Sequence, residues 1–198
     1  MIVESVNLAK AAEAPWGHSA MPKLPATGSI PVVDTGLEGD EHVYADHRGP
    51  YYQCTAYPAE SLAIWRDRLG RDLSPGTFGE NFTLRGVDVR TMILGQFWRL
   101  GEVRFEVMGP ALPGPAVTAL VGEEDWIDAA LPAVYLRPIV WEGGGRVGAG
   151  DSVEILWTPV EQVTVAEAWE ALLGDAGILQ RILDVPGRSP VWDLLVKA

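Results

Sequence analysis

The segment at residues 36–50, GLEGDEHVYADHRGP, gathers the side chains in this chain that are best suited to chemistry. It holds several acids, two of the three histidines, an arginine, and glycines and a proline, with neither strand alternation nor helical spacing. Apolar, strand-like runs lie on both sides, at residues 30–33 and 51–57. A polar loop held between strands is where binding and catalytic groups often lie. A solvated surface loop in an acidic protein is the equally weighted alternative.

The acids and imidazoles of this segment suit a hard cation or zinc, which would make the chain a metal-assisted hydrolase. The candidate ligands are Asp34, Glu38, Asp40, Glu41, His42, Asp46 and His47. The sequence has no HExxH motif and no regular ligand spacing, and a charge-rich loop that is only solvated is the more common arrangement. We therefore assign no metal ligand from the sequence and keep the hydrolase as a second alternative.

Short strand-like runs separated by glycine and proline turns predict the scaffold that positions this loop. The main predicted strands are residues 1–8, 30–33, 51–56, 97–100, 102–108, 134–141 and 152–157. Residues 9–29 are rich in Ala, Pro and Gly and are predicted to form a long loop. The segment GPALPGP at 109–115 is predicted to end the strand before it. This spacing favours a mainly β, barrel-like fold over a βαβ array.

Helical spacing is found in the middle and at the end of the chain. Pro58 is predicted to open a helix that stops at Gly70, and residues 116–130 are predicted to be helical with interruptions. In the last forty residues Thr164 and Glu167 form a predicted capping box. We predict a β-barrel-like domain at 1–158 and a small C-terminal helical segment at 160–198.

The bulk composition argues against several classes of function. The chain has 198 residues, 47% of them hydrophobic, and a net charge of −12. It is therefore globular, and it lacks the basic excess that nucleic acids and anionic membranes require. A single cysteine, Cys54, excludes an intrachain disulfide. No signal peptide or membrane span is predicted, so we expect a cytoplasmic protein that binds a small molecule. Its oligomeric state stays open, with a homodimer among the options.

Four segments, in chain order, resemble the MOSC family, which is named after the C-terminal domain of molybdenum-cofactor sulfurases. They are TGSIPV with GLEGD (27–40), DHRGPYYQCTAYP (46–58), LSPGTFGENFTLRG (73–86) and RVGAGDSVEIL (146–156). The tail, which begins with VTVAEAW, is similar to the three-helix module of YiiM-like members. The FGEN and GLEGD phrases together make the resemblance specific, and it covers nearly the whole chain.

The resemblance implies a β-rich, barrel-like body that binds the molybdenum–pterin cofactor or carries sulfur for it. YiiM-like members and mitochondrial amidoxime-reducing relatives are linked to the reduction of N-hydroxylated compounds. An active member would thus be a molybdenum-cofactor-dependent oxidoreductase or a sulfur transferase. The domain also occurs fused to pyridoxal-phosphate-dependent desulfurases. Nothing in this chain resembles their lysine-bearing domain, so pyridoxal phosphate is an association of the family only.

The thiol of the family is missing from this chain. In the family a phrase like Pro-Arg-x-Pro-Cys-x-Lys-Leu follows the second arm of the hairpin. Here Gly114 falls at the cysteine, Ala111 at the arginine and Ala116 at the lysine. A thiolate can ligate molybdenum or carry a persulfide sulfur, and a glycine can do neither. A lysine that the family often places just before Pro31 is also absent, since Lys23 comes too early to match.

The resemblance carries two catalytic candidates over to this chain, His47 and Asn81. A neutral imidazole at His47 can donate to a substrate or shuttle a proton, or it can simply fix its own loop. Asn81 and Glu80 can orient a ligand or satisfy loop amides, and Asp40 is expected to brace the loop. The candidate cofactor-binding residues are Arg48, Gly49, Phe78, Gly79, Glu80, Asn81 and Gly114. A lone cysteine in a strand, such as Cys54, is most often a small buried hydrophobe.

Two principal functions are left open by the sequence. The first is a YiiM-like protein that binds molybdenum cofactor for sulfur transfer or for reduction of N-hydroxylated compounds. The second is a catalytically degenerate MOSC domain that binds a ligand or a partner without thiol chemistry, with no cofactor. For either function we predict that the acidic loop, the FGEN loop and the turn at 109–115 meet in one cavity.

Overall fold

The fold is given by a computed structural model that describes residues 1–43, 49–141, 144–190, 192, 193 and 196. Most of its regular structure is short β-strands. The strands are β1 Ile2–Leu8, β2 Ala12–Ala14, β3 Gly17–Ser19, β4 Leu24–Pro25, β5 Ile30–Val33, β6 Gly36–Leu37, β7 Cys54–Pro58, β8 Phe82–Arg85, β9 Phe97–Leu100, β10 Val103–Ala111, β11 Ala133–Ile139, β12 Gly145–Val147 and β13 Val153–Trp157. The helices are α1 Ala59–Leu69, α2 Pro115–Val121, α3 Glu123–Ala129, α4 Val165–Leu172 and α5 Ala176–Leu183.

Eight of these strands form one curled sheet in the order β13-β9-β10-β11-β7-β8-β1-β4. The pairing of β7 with β8 is parallel, and the other pairs in this sheet are antiparallel. The curl brings Ile2 into a bridge with Ser152, and Val3 N donates to Asp151 O at 2.9 Å. The prediction of a mainly β fold is confirmed. Among the described strands the sheet is barrel-like without closing into a full barrel.

Two segments differ from the sequence prediction. Residues 9–29 are not one long loop, because β2 and β3 form a hairpin there and β4 pairs with the end of β1. The strand before GPALPGP does not stop at Met108 either, because β10 continues through Gly109 and Pro110 to Ala111. Beyond Val107 the pairs that β10 forms are with β11 only. Proline is tolerated in a strand where one side has no partner, so Pro110 can lie inside β10.

The predicted helices are present where local signals were strong. Pro58 precedes α1, and Gly70 ends it in the left-handed conformation. Thr164 accepts a hydrogen bond from Glu167 N at 3.0 Å, while the Glu167 carboxylate accepts from Thr164 N, so the capping box is confirmed. Among the described residues, no helix combines the length and the apolar character needed to cross a membrane.

The main core contains side chains from the sheet and from the C-terminal helices. Phe82 and Phe105 meet edge to face, with ring centroids 5.2 Å apart. Val165 on α4 and Ile182 on α5 belong to the same apolar cluster. A second cluster, formed around Trp65 and Trp126, lies beside α1, α2 and α3. The division into domains at 1–158 and 160–198 stays a prediction.

Candidate functional site

A cavity of about 170 Å³ lies where three loops meet, and we call it the central cavity. The FGEN loop contributes Phe78, Gly79 and Asn81, and the end of the acidic loop contributes Glu41 and His42. Another side is formed by Ala111 at the end of β10, by Leu112 and Gly114, and by residues 115–117 at the start of α2. The predicted convergence is therefore confirmed for the described parts of the three segments.

Glu80 lies behind the cavity wall and holds the FGEN loop in shape. Its carboxylate accepts hydrogen bonds from Gly76 N at 2.7 Å, Phe78 N at 3.1 Å and Thr83 Oγ1 at 2.8 Å. The side chain is fully buried. Burial raises the pKa of the Glu80 carboxyl, and the hydrogen bonds, that from Gly76 first, only partly oppose this rise. Glu80 therefore organises backbone amides and does not face the cavity.

Asn81 is held between β7 and the acidic loop. Its amide nitrogen donates to Asp40 Oδ2 at 2.8 Å, and its amide oxygen accepts from Thr55 N at 3.1 Å. Asp40 also accepts from Ala9 N at 2.8 Å, which agrees with its predicted bracing role. Because both ends of the Asn81 amide are engaged within the chain, its side chain positions the cavity wall.

A buried ion pair between Lys23 and Asp40 lies beside Asn81. We call these three residues the polar floor of the cavity. Lys23 Nζ donates to both carboxylate oxygens of Asp40 at 2.7 Å, and both side chains are almost completely buried. Lys23 also lines the central cavity. The sequence resemblance does not select Lys23, because it comes too early in the chain to match the family lysine. A charged lysine buried without a partner is rare, but the sequence gives no local sign that Asp40, 17 residues later, is that partner.

Gly76 locks the FGEN loop against the segment that carries Lys23. Gly76 has a φ of +86°, and a Cβ at this position would lie 2.3 Å from Lys23 O. Lys23 N also donates to Gly76 O at 2.9 Å. Only glycine allows both the left-handed conformation and this close approach. The Pro-Gly-x-Phe-Gly-Glu-Asn phrase is thus needed to build the polar floor.

Aromatic side chains line the remaining part of the central cavity together with smaller apolar ones. Tyr52 and Tyr135 lie with ring centroids 4.4 Å apart, and Phe78 and Trp126 lie 5.2 Å apart. Trp126 is buried, and its Nε1 has no hydrogen-bond partner among the described residues. Trp16, from the turn between β2 and β3, also lines the cavity. Sequence reasoning missed these aromatic residues because they come from distant strands and helices.

Gly114 directly precedes α2 and lines the cavity. Its φ of −82° and ψ of 175° are extended backbone that any residue adopts. A Cβ at Gly114 would have no heavy atom within 4 Å. The position at which the family places its cysteine therefore faces open space, and no backbone requirement for glycine is found there.

Cys54 does not replace the missing thiol. It lies on β7, is fully buried, and belongs to the main core cluster. Burial raises the pKa of the Cys54 thiol strongly, and the nearby negative charge of Asp40 raises it further. The neighbouring Thr55 lines the cavity, as expected from the alternation of side chains along a strand. Cys54 is thus a protonated, apolar core residue.

The described structure leaves some predicted site residues untested and places one away from the cavity. His47, Arg48 and Asp46 lie outside the described residues. Gly49 is described, but it is not among the residues that line the cavity. For the hydrolase alternative, the described histidines, cysteine and acids contain no cluster of three that could hold a metal ion.

The described walls do not fit a molybdenum–pterin cofactor held by a thiolate. The only cysteine of the chain is sealed in the core. The positive charge of Lys23 is neutralised by Asp40, and the Glu41 carboxylate on the wall pairs with Lys10. An anionic phosphate needs uncompensated donors or cations. Where the cavity is described, its polar side is electrically balanced and its other walls are apolar.

The chain is similar to known proteins along most of its length. The sequence pattern of the MOSC domain matches residues 43–154. The uncharacterized protein YflK of Bacillus subtilis is 28% identical over 178 residues, covering 86% of this chain and 79% of that protein. Protein YiiM of Escherichia coli is 28% identical over 187 residues, covering 88% and 81%.

The fold is shared with solved structures over nearly the full length. YiiM from Geobacillus stearothermophilus superposes with a TM-score of 0.80 at 21% identity, covering 99% of this chain and 97% of the other. The FGEN loop and the central cavity therefore lie within a fold of the YiiM type. Because the family pattern spans more than half of the chain, this protein is a member of the MOSC domain family.

Proposed function

We propose that this protein is a MOSC domain of the YiiM type that binds a small, planar, uncharged aromatic molecule in the central cavity without thiol chemistry. The observation that carries the proposal is Gly114, which leaves an open position in an otherwise apolar wall where the family has its cysteine. This is the ligand-binding alternative left open by the sequence. It requires no cofactor.

The size of the cavity limits the ligand. Its volume of about 170 Å³ is close to that of an engineered apolar cavity of about 150 Å³ that accommodates benzene. Aromatic rings prefer tilted or offset contacts with other rings, and the walls provide them through Tyr52, Tyr135, Phe78 and Trp126. A one-ring ligand, or a two-ring ligand that extends to the opening, suits this space.

The electrostatics of the cavity favour a neutral ligand. Lys23 and Asp40 cancel each other on the polar floor, so a charged ligand would find no uncompensated partner there. Trp126 lines the cavity, but its Nε1 has almost no accessible surface, so the ligand does not need an acceptor for it.

Binding is tested with a panel of one- and two-ring heteroaromatic compounds, such as pyridine, benzimidazole and quinoline, by protein-observed NMR. The variant Gly114→Phe fills the open position, and Ala176→Phe, at an exposed site on α5, is the matched control. We expect at least one compound to bind the wild type and the control, with binding reduced at least tenfold in Gly114→Phe. The proposal is wrong if no compound binds, or if Gly114→Phe binds as well as the control.

The rival function is molybdenum-cofactor-dependent reduction or sulfur transfer, which the open position at Gly114 also allows once a thiol is restored. The test is to purify the wild type and Gly114→Cys from cells that make the cofactor, and to measure molybdenum and pterin per chain. We expect far less than one equivalent in the wild type. One equivalent of molybdenum and pterin in the unaltered chain would favour the rival and contradict our proposal.

A further inference from the structure

The aromatic wall of the central cavity contains two tyrosines that are held in different ways. Tyr135 lies on β11, where the sheet fixes it from both sides, since it pairs with Gly109 on β10 and with Thr55 on β7. Tyr52 lies two residues before β7, whose pairing with β11 begins at Cys54. The two rings are in contact, with centroids 4.4 Å apart. The described pairings of the sheet therefore fix Tyr135 and end before Tyr52.

A residue from the far end of the chain holds the side chain of Tyr52. The Tyr52 hydroxyl lies 2.6 Å from Ser189 Oγ, which is within the normal range for a hydrogen bond between two hydroxyls. Ser189 is buried, and it is not among the residues that line the cavity. The Tyr52 hydroxyl is therefore directed toward a residue behind the wall, and the Tyr52 ring contributes to the wall itself.

Ser189 lies in a short segment after α5, which we call the post-α5 segment and define as residues 185–190 with 192. Val185 and Trp192 are buried at its two ends, and both belong to the main core cluster. Trp192 packs against β10 at Gly109, where a Cβ would lie 3.3 Å from the Trp192 Cζ2 atom. Trp192 N also donates to Ser189 O at 3.3 Å. Two buried anchors thus fix the position of the Ser189 hydroxyl.

We infer that Ser189 is a positioning residue for the ligand of the central cavity, and that it acts through its hydrogen bond to Tyr52. The inference deepens the proposed function, on which it rests for the ligand. A tyrosine outside the paired strands can otherwise change its side-chain rotamer, and a rotated ring would leave or block the space beside Tyr135. A protein binds its ligand in proportion to the fraction of molecules in the competent conformation. The post-α5 segment therefore controls ligand affinity without touching the ligand.

The same hydrogen bond determines which part of Tyr52 meets the ligand. With its hydroxyl bonded to Ser189, Tyr52 presents its ring, so an aromatic ligand gains ring contacts at this wall. If the bond is removed, the Tyr52 side chain can place its hydroxyl in the apolar cavity, where burying a hydroxyl is costly. A neutral hydrogen bond changes an equilibrium by about fivefold. We therefore expect an effect of this size on the affinity for an uncharged aromatic ligand.

The first measurement is the affinity of three variants for the heteroaromatic compound that binds the wild type most tightly. Ser189→Ala and Tyr52→Phe each remove one side of the hydrogen bond, and each should weaken binding about fivefold. Because both changes break the same bond, the double variant should also be weakened about fivefold, and not about 25-fold. Ser152→Ala is the matched control, because it removes an exposed serine hydroxyl that donates to Glu154 and lies outside the cavity lining. This control should bind as the wild type does.

The second measurement needs no ligand. The five tyrosines of the chain are labelled as 3-fluorotyrosine, and single Tyr→Phe variants assign the fluorine NMR signals of Tyr52, Tyr135 and Tyr57. In Ser189→Ala the signals of Tyr52 and Tyr135 should move by more than their line widths. Tyr57 donates to Leu131 O and belongs to the second cluster, so its signal should stay in place and is the internal control.

The inference is overturned if the Tyr52 signal does not move in Ser189→Ala, if that variant binds as tightly as Ser152→Ala, or if the two losses multiply in the double variant. The proposed function fails differently, because no compound then binds the wild type. In that case the fluorine spectra alone decide whether Ser189 holds the wall: a shifted Tyr52 signal supports this and an unmoved signal overturns it. If Ser189→Ala does not fold, Tyr52→Phe takes its place, and unchanged affinity in Tyr52→Phe overturns the inference.

Discussion

The two sides of the central cavity differ in how many of their polar groups have hydrogen-bond or ion-pair partners within the chain. On the FGEN side, Glu80, Asn81, Asp40 and Lys23 bind one another or nearby backbone atoms. On the side that begins α2, Gly114 faces open space and Trp126 has an unpaired indole nitrogen among the described residues. The first side is fixed by its own hydrogen bonds, which suits a scaffold, and the second can change its chemistry without disturbing that scaffold. A loop phrase typical of a family therefore indicates the frame more directly than the reaction.

The largest effect that we expect comes from breaking the buried ion pair of the FGEN side. Lys23→Met leaves the Asp40 carboxylate buried without its cation, which should lower the free energy of unfolding by about 3–5 kcal/mol. Urea unfolding followed by circular dichroism measures this. Lys10→Met is the matched control, because Lys10 forms an exposed ion pair with Glu41. A Lys23→Met variant as stable as Lys10→Met would show that the pair does not hold this side together.

The next effect concerns Glu80. Glu80→Ala removes the acceptor of Gly76 N, Phe78 N and Thr83 Oγ1. Because buried donors left without acceptors are costly, we expect a loss of about 2–3 kcal/mol in the free energy of unfolding. Glu170→Ala, at an exposed position on α4, is the control and should change stability little. An equal loss in both variants would contradict the role assigned to the Glu80 carboxylate.

Stability should also depend on pH through Glu80. Burial raises the pKa of this carboxyl above its usual 4.5, so the folded chain holds the proton more tightly than the unfolded chain does. The stabilisation from this group is complete below about pH 4.5 and is lost as the pH rises through the folded pKa. The variant Glu80→Gln does not titrate. The free energy of unfolding of the wild type minus that of Glu80→Gln should therefore decrease as the pH rises above about 4.5, and a constant difference would be evidence against this pKa shift.

Local signals in the sequence predicted much of the frame. The Thr164 capping box, the hairpin around Gly101 and the stop at Gly70 each depend on a few neighbouring residues, and each is found in the structure. The extension of β10 through Gly109 and Pro110 was not predicted, because proline and glycine usually end strands. Pro110 can remain in β10 because β9 does not extend alongside that part of the strand. The length of a neighbouring strand cannot be read from the segment itself.

The candidate site was predictable only where a phrase carries it. Phe78, Gly79, Asn81 and Gly114 were selected together by resemblance and lie on one cavity. Lys23 was not selected, because its partner Asp40 is identified only by the folding of two separate loops. The aromatic wall was missed for the same reason, since Trp126 and Tyr135 approach the FGEN loop only after α3 and β11 have packed. Long-range contacts of this kind leave no periodic pattern in a single sequence.

The smallest effect on stability, and the sharpest contrast in reactivity, is expected from Gly114→Cys. The open space at residue 114 should keep the change in unfolding free energy within about 0.5 kcal/mol. Native wild type should not react with a disulfide-exchange reagent such as dithionitrobenzoate, because Cys54 is buried and its thiol pKa is strongly raised. Native Gly114→Cys should release one equivalent of thionitrobenzoate per chain. After unfolding, the wild type should release one equivalent in total and the variant two. Reaction of the native wild type would show that Cys54 is accessible. Lack of reaction at the introduced cysteine in native Gly114→Cys would show that position 114 does not face the cavity, so the two expectations are tested independently.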